Sequence, residues 1–191
     1  LANQGKYEFL GWYTSEDDET AEKVTSIDTS KLENIILYAR WDESKLYLRS
    51  SVYKIGENDI DRYEPNDVYL DKIQPKTTLS KFINNCKTNG IITVIDKQGQ
   101  QLEQNDIVGT EMTIKVTKGN EEINLTAVVM GDTDGDGYAT ATDMSDMKDV
   151  ILKTKNLEGA KFKAADIDDT KKVTSTDLSD INRAILKLTE L

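Results

Sequence analysis

The residues whose types and spacing could do chemistry lie in one stretch, residues 131–143, GDTDGDGYATATD. Asp132, Asp134, Asp136 and Asp143 stand at positions 1, 3, 5 and 12 of a twelve-residue loop, with Gly137 at position 6. Carboxylates at alternate residues wrap hard oxygen donors around one cation. The glycine permits the sharp turn, and the Tyr138 carbonyl at position 7 adds another oxygen. Acidic groups packed this closely repel one another unless a cation sits among them. The stretch therefore reads as a calcium (Ca2+) loop rather than as a bare acidic surface.

Two features separate it from an ordinary EF-hand loop. Asp143 ends it where the general pattern has Glu, and residues 123–130 before it (INLTAVVM) are rich in β-branched types, which predicts a strand and no entering helix. Thirty-four residues on, the pattern returns as ADIDDTKKVTSTD, with Asp166, Asp168 and Asp177 at positions 1, 3 and 12. Residues 140–153 and 174–187 share 8 identities in 14 positions, an internal duplication.

The elements that must position these loops are helices. Met144, Met147 and Ile151 match Leu178, Ile181 and Ile185 one repeat later, an i, i+3, i+7 stripe on each helix, and the two stripes are expected to pack on each other. The methionines read as core. Thr140 and Thr174, each followed three residues later by Asp, predict a capping box that also delivers the last ligand. In the second loop Thr170 stands at position 5, where Asp or Asn is usual. Lys171 replaces the turn glycine, at a cost of about 1 kcal/mol. That site is expected to be the weaker of two. Asp169, at position 4, reads as a solvated charge.

Two loop-plus-helix units without entering helices, joined by a short LEGAKFKAA linker, resemble a type I-like dockerin over residues 131 to about 188. The resemblance implies calcium-dependent docking onto a cohesin and no catalysis. It carries the first ligand set to Asp132, Asp134, Asp136, Tyr138 by its carbonyl, Thr140 and Asp143. The second set falls on Asp166, Asp168, Thr170, Lys172 by its carbonyl, Thr174 and Asp177. It places partner contacts at Ala141, Thr142, Lys148, Asp149 and Lys153, and at Ser175, Thr176, Asn182, Arg183 and Lys187. The copies oppose Asp149 to Arg183. Opposite charges at one repeat position favour a single orientation of the module on its partner.

The 191 residues carry a net charge of −11 and 37% apolar residues, enough for modest cores and unsuited to phosphate backbones, which excludes nucleic acid as a partner. Residues 131–191 hold 13 acidic and 9 basic residues, so most of the excess charge lies upstream. No apolar run is long enough to span a bilayer, and none reads as a signal peptide. The first residue is Leu, which is read as the start of a fragment of a longer protein. A single cysteine, Cys86, excludes an internal disulfide and reads as a small buried thiol. Histidine is absent, which removes the commonest general base, and small domains leave little room for a cleft between paired carboxylates.

Upstream, residues 6–13 (KYEFLGWY) and 34–41 (NIILYARW) predict strands. With the polar run between them they resemble a Listeria–Bacteroides repeat, the internalin type B unit, truncated at its first strand. Its Trp12, Tyr13, Tyr38 and Trp41 are expected in a core rather than on a carbohydrate platform. Residues 44–130 predict strands at 46–55, 68–70, 91–95, 112–116 and 123–129, turns at 96–99 and 118–120, and a helix capped by Thr77 or Thr78 and running to Cys86. This region is similar to the small β modules, X-module-like, that precede dockerins.

The chain is thus expected to be multidomain. Two small β-rich domains of α+β, β-grasp-like character, residues 1–43 and 44–130, lead into an all-α dockerin, 131–191, with two EF-hand-like repeats. The expected role is the docking tail of a secreted or cell-surface bacterial protein within a cellulosome-like polysaccharide-degrading assembly. It would meet carbohydrate only through a domain further upstream. The alternative is a calcium-stiffened surface stalk or adhesin segment with no cohesin partner.

Overall fold

The structure, a computed structural model, describes residues 9–15, 21–27, 34–41, 45–56 and 63–186, and of Phe9 and Trp41 the backbone alone. The chain divides into two compact units, residues 1–45 and 46–191. The boundary expected between residues 130 and 131 lies inside the second.

The first unit is a three-stranded antiparallel sheet of β1 (Phe9–Tyr13), β2 (Lys23–Val24) and β3 (Tyr38–Trp41), in the order β2-β1-β3. Residues 6–8 of the expected first strand lie outside the described residues, and β3 starts four residues later than expected. Past a register shift between Phe9 and Gly11, pleat alternation sends Gly11 and Tyr13 to one face and Trp12 to the other. Trp12 is 37% exposed, so the core role expected for it is not what the fold gives. Tyr13 and Tyr38 are half-buried, and the Arg40 guanidinium lies 4.3 Å from the Tyr13 ring centroid. The Trp41 side chain is outside the described part.

The second unit opens with β4 (Leu48–Arg49) and β5 (Lys54–Ile55), where one strand over 46–55 was expected. Ser50 explains the break. Its Oγ accepts from Val52 N at 3.1 Å and Tyr53 N at 2.9 Å, and donates to Asn85 O at 2.8 Å, folding the chain locally instead of along a ladder. β6 (Tyr69–Ile73) precedes α1 (Leu79–Asn84), and β7 (Lys87–Thr88) then pairs with β4. Thr78 is the cap, its Oγ1 accepting from Lys81 N, while Thr77 is buried. Cys86 follows the helix, and burial pushes its thiol up to about 12. β8 (Ile91–Ile95), β9 (Thr113–Lys118) and β10 (Glu121–Val129) complete a five-stranded sheet in the order β5-β6-β10-β9-β8, with β6 and β10 parallel. The expected hairpin is present, with Gly119 at φ +58° opening the two-residue turn from Lys118 to Glu121.

Phe82, Leu48, Leu70, Ile114 and Leu125 form the core between α1 and this sheet, with the Tyr53 ring stacked 5.2 Å from Phe82. Phe82→Ala is expected to cost about 3–5 kcal/mol of stability in equilibrium denaturation, because the stacked site cannot collapse onto the void. β10 alternates buried and exposed at Ile123 to Leu125 but is buried at every residue from Ala127 to Val129, because its last turn of chain is covered on both faces. There Val128 packs on Ala160 and Ala164 of a helix.

The remaining helices are α2 (Ala141–Ile151), α3 (Gly159–Ala165) and α4 (Ser175–Ile185). α3 corrects the expectation of a bare linker. Alanines at 160, 164 and 165 let it lie close against β10 and the repeat core, and it runs directly into the second loop. The first loop is therefore entered by a strand, as expected, and the second by a helix, which was not. α2 and α4 pack through Met147 and Ile181, both fully buried, with Met144, Leu178 and Ile185 against them. Val150 joins this cluster, where Ile151 was expected.

Candidate metal centres and docking face

Each loop is built by backbone N–H groups converging on its first and last aspartates. Asp132 is fully buried. Its Oδ1 accepts from Gly135 N at 2.6 Å and Asp136 N at 3.1 Å, and its Oδ2 from Gly137 N at 2.9 Å and Thr110 N at 2.8 Å. The last of these donors comes from the β-sheet region, outside the loop. Gly135 (φ +89°) and Gly137 (φ +82°) make the turn that aims their amides inward. A Cβ at Gly137 would strike Ile107 and the Val108 carbonyl, so this turn is seated on the strand region as well as bent.

Asp143, also fully buried, closes the loop. Its Oδ1 accepts from Thr133 N and Asp134 N, its Oδ2 from Thr140 N at 2.8 Å and the Thr140 hydroxyl at 3.0 Å. Thr140 Oγ1 in turn accepts from Thr142 N, the expected capping box of α2. Carboxylate oxygens of Asp132, Asp134 and Asp136 lie within 4.8 Å of one another, Asp134 and Asp136 being exposed. Tyr138 has its ring exposed and its amide on Asp136 Oδ1.

The second loop repeats this backbone with different side chains. Asp166 accepts from Thr170 N at 2.9 Å and Lys171 N at 2.7 Å. Asp177, buried, accepts from Asp168 N, Thr174 N and the Thr174 hydroxyl, and caps α4 as Asp143 caps α2. Asp166, Asp168 and Asp177 offer oxygens within 4.8 Å of one another. Thr170 donates its hydroxyl to Lys172 O at 3.3 Å. Asp169 (φ +58°) and Lys171 (φ +63°) hold the left-handed conformations that Gly135 and Gly137 hold in the first loop. Asp169 is an exposed charge, as expected, and its Oδ2 also lies 2.7 Å from Lys54 Nζ.

The electrostatics are compatible with a cation site. Burial first, and the neighbouring Asp143 carboxylate among the lesser causes, push Asp132 above the ordinary carboxylate value against the pull of its N–H donors. Burial and Asp143 raise Asp134 likewise, and burial raises Asp166. Asp168 is shifted down by its hydrogen bond with Thr170. A doubly charged ion would relieve the repulsion. The donor set, all oxygen with no sulfur or imidazole, suits a hard cation such as calcium.

On the helices, Ala141, Thr142, Lys148 and Lys153 are exposed and Asp149 half-buried, while Ser175, Thr176, Asn182 and Arg183 are exposed. Lys187 lies outside the described residues. Sequence reading missed two apolar residues here. Leu152 and Leu186, at the same repeat position, cap α2 and α4 and are 59% and 60% exposed. Their signal was available as an apolar residue retained in both copies off the buried stripe. Thr133, whose buried hydroxyl lies between Asp143 and Asp146, was also missed.

Residues 130–186 match the Dockerin type I domain family. Domains of this family are non-catalytic modules that dock onto cohesins and bind calcium. The resemblances of residues 1–43 and 44–130 to an internalin-type repeat and an X-module gain no support from this match. No curated protein and no solved structure matched the chain. Among the described residues no helix is long and apolar enough to cross a membrane.

Proposed function

We propose that the chain is the docking tail of a secreted bacterial protein, whose duplicated helices present one face to a cohesin of an extracellular, cellulosome-like or cell-surface assembly. The observation that carries this reading is the duplication itself. Two acidic loops cap two helices through Asp143 and Asp177, and the exposed residues after each loop recur at equal spacing. Asp132, Asp134, Asp136, the Tyr138 carbonyl, Thr140 and Asp143 would hold one calcium ion. Asp166, Asp168, Thr170, the Lys172 carbonyl, Thr174 and Asp177 would hold a second, more weakly, since Thr170 stands at position 5 where the first loop has the Asp136 carboxylate. When bound, the ion neutralises the carboxylates and fixes the helix starts.

Residues 46–130 are then a platform under the loops, and residues 1–45 a spacer. Lys148 on α2 with Leu152 and Lys153 just past its end, and Asn182 and Arg183 on α4 with Leu186 at its C-cap, form the partner face, with Ala141, Thr142, Ser175 and Thr176 at the loop exits. As a folding ligand calcium stabilises by about 2.7 kcal/mol at a hundredfold excess over its dissociation constant. Chelation is expected to lower the melting temperature and abolish cohesin capture together. Equal capture with and without chelator would count against the proposal. Calcium-raised melting with every cohesin of the producing organism failing to bind would favour a stalk.

A further inference from the structure

Lys72 has a backbone conformation that needs a reason. It lies in β6 at φ +64°, left-handed for a residue with a Cβ, and Asp71 Oδ1 accepts its amide at 2.6 Å. Between the pairs Leu70 with Ala127 and Ile73 with Val129, two residues of β6 face one of β10, so Lys72 is the extra residue of a bulge. Bulges re-aim side chains. This one sends Lys72 Nζ to the Ile167 carbonyl, at position 2 of the second loop, at 3.0 Å. From the neighbouring strand β5, Lys54 Nζ reaches Asp169 Oδ2, at position 4, at 2.7 Å. The ammonium groups of Lys54, Lys72 and Lys163 also hold the Asp169 carboxyl below its ordinary range, Lys54 foremost.

The second loop is where such help is needed. Its tight turn places Asp169 and Lys171 in left-handed conformations that glycines occupy in the first loop, and it has one carboxylate fewer with which to hold an ion. On the first loop the comparable contact among the described residues is Lys97 Nζ to Asp134 O at 3.2 Å.

We infer that Lys54 and Lys72 form a built-in cationic clamp that keeps the second loop closed in the absence of a divalent ion. The clamp positions the loop and contributes no ligand. It lets the turn of the second loop, and with it the start of α4, persist when calcium is withdrawn despite left-handed residues that carry a Cβ. The inference rests on the calcium reading only for what the ion adds.

Hydrogen exchange of the full chain in calcium-free buffer tests it, read at the Thr170 and Lys171 amides, both donors to Asp166. Lys54→Met with Lys72→Met is expected to speed exchange there at least tenfold, with Gly135 and Gly137 unchanged. Lys54→Arg with Lys72 intact keeps the slow rate. Asp169→Asn, a change at a 40% exposed side chain that leaves the strands intact, is expected to speed the same two amides severalfold. Unchanged rates in the double variant or in Asp169→Asn, or equal acceleration in both loops, would overturn the clamp. Added calcium should slow both loops of the unsubstituted chain. Its failure to slow either would instead overturn the calcium reading.

Discussion

Asp132→Ala is expected to abolish the first calcium-binding step and, separately, to lower the stability of the calcium-free chain by about 3 kcal/mol. The first effect is loss of the ligand at position 1. The second comes from four N–H groups, of Thr110, Gly135, Asp136 and Gly137, which this one buried carboxylate accepts. Removing the acceptor leaves the two buried donors, Thr110 N and Gly137 N, unpaired, at roughly 1–3 kcal/mol each before relaxation, while Asp136 N keeps Asp134 Oδ1. Asp136→Ala is the matched contrast. Asp136 is exposed and its Oδ1 accepts from Tyr138 N, so its loss should weaken calcium binding yet shift calcium-free stability by no more than about 0.5 kcal/mol. Calorimetric calcium titration and urea denaturation in chelator separate the two. If Asp132→Ala left calcium-free stability untouched, the carboxylate would be a ligand and nothing more. Because Thr110 belongs to the sheet region, part of that loss should appear as earlier unfolding of residues 46–130.

The second large effect concerns the face of the helix pair. Leu152→Asp and Leu186→Asp alter residues that stand at one repeat position and are more than half exposed, so neither should change stability by more than about 0.5 kcal/mol. On cohesin affinity they should differ sharply. The adjacent pair Asp149 and Arg183 gives the two copies opposite charge, so one copy is expected to supply the contact. Burying a central apolar anchor is worth about 2–4 kcal/mol, thirtyfold or more in affinity. One substitution should therefore cost that much and the other no more than a fewfold, measured by calorimetry against a single cohesin. Equal losses would mean that the module binds by either copy, and the charge opposition would carry no orientation.

How far the chain could be read without coordinates depended on the range of the interactions involved. Asp132 to Asp143 and Asp166 to Asp177 are local patterns, and local spacing carried the loops, the capping threonines Thr140 and Thr174, and the helix stripes. The hairpin at Gly119 was legible for the same reason. α3 was not, because GAKFKAA has no amphipathic stripe of its own. Its helix is stabilised by laying Ala160 and Ala164 against Val128, some thirty residues away. The break at Ser50 likewise depends on Asn85. Trp12 was placed on the wrong side because alternation gives the period of a strand but leaves open which face is covered.

Residue type and spacing within about a dozen positions settled where two loops turn, which carboxylates they gather and where two helices begin, since chelating loops and caps are made between near neighbours. The fold settled what those loops rest on. Thr110 donating to Asp132, Lys97 to the Asp134 carbonyl, and Lys54 and Lys72 to the second loop join residues from 22 to 115 positions apart. The Lys72 contact follows from the register of β6 on β10, bulge included, and the others from how the rest of the sheet region folds, and no window along the chain contains either.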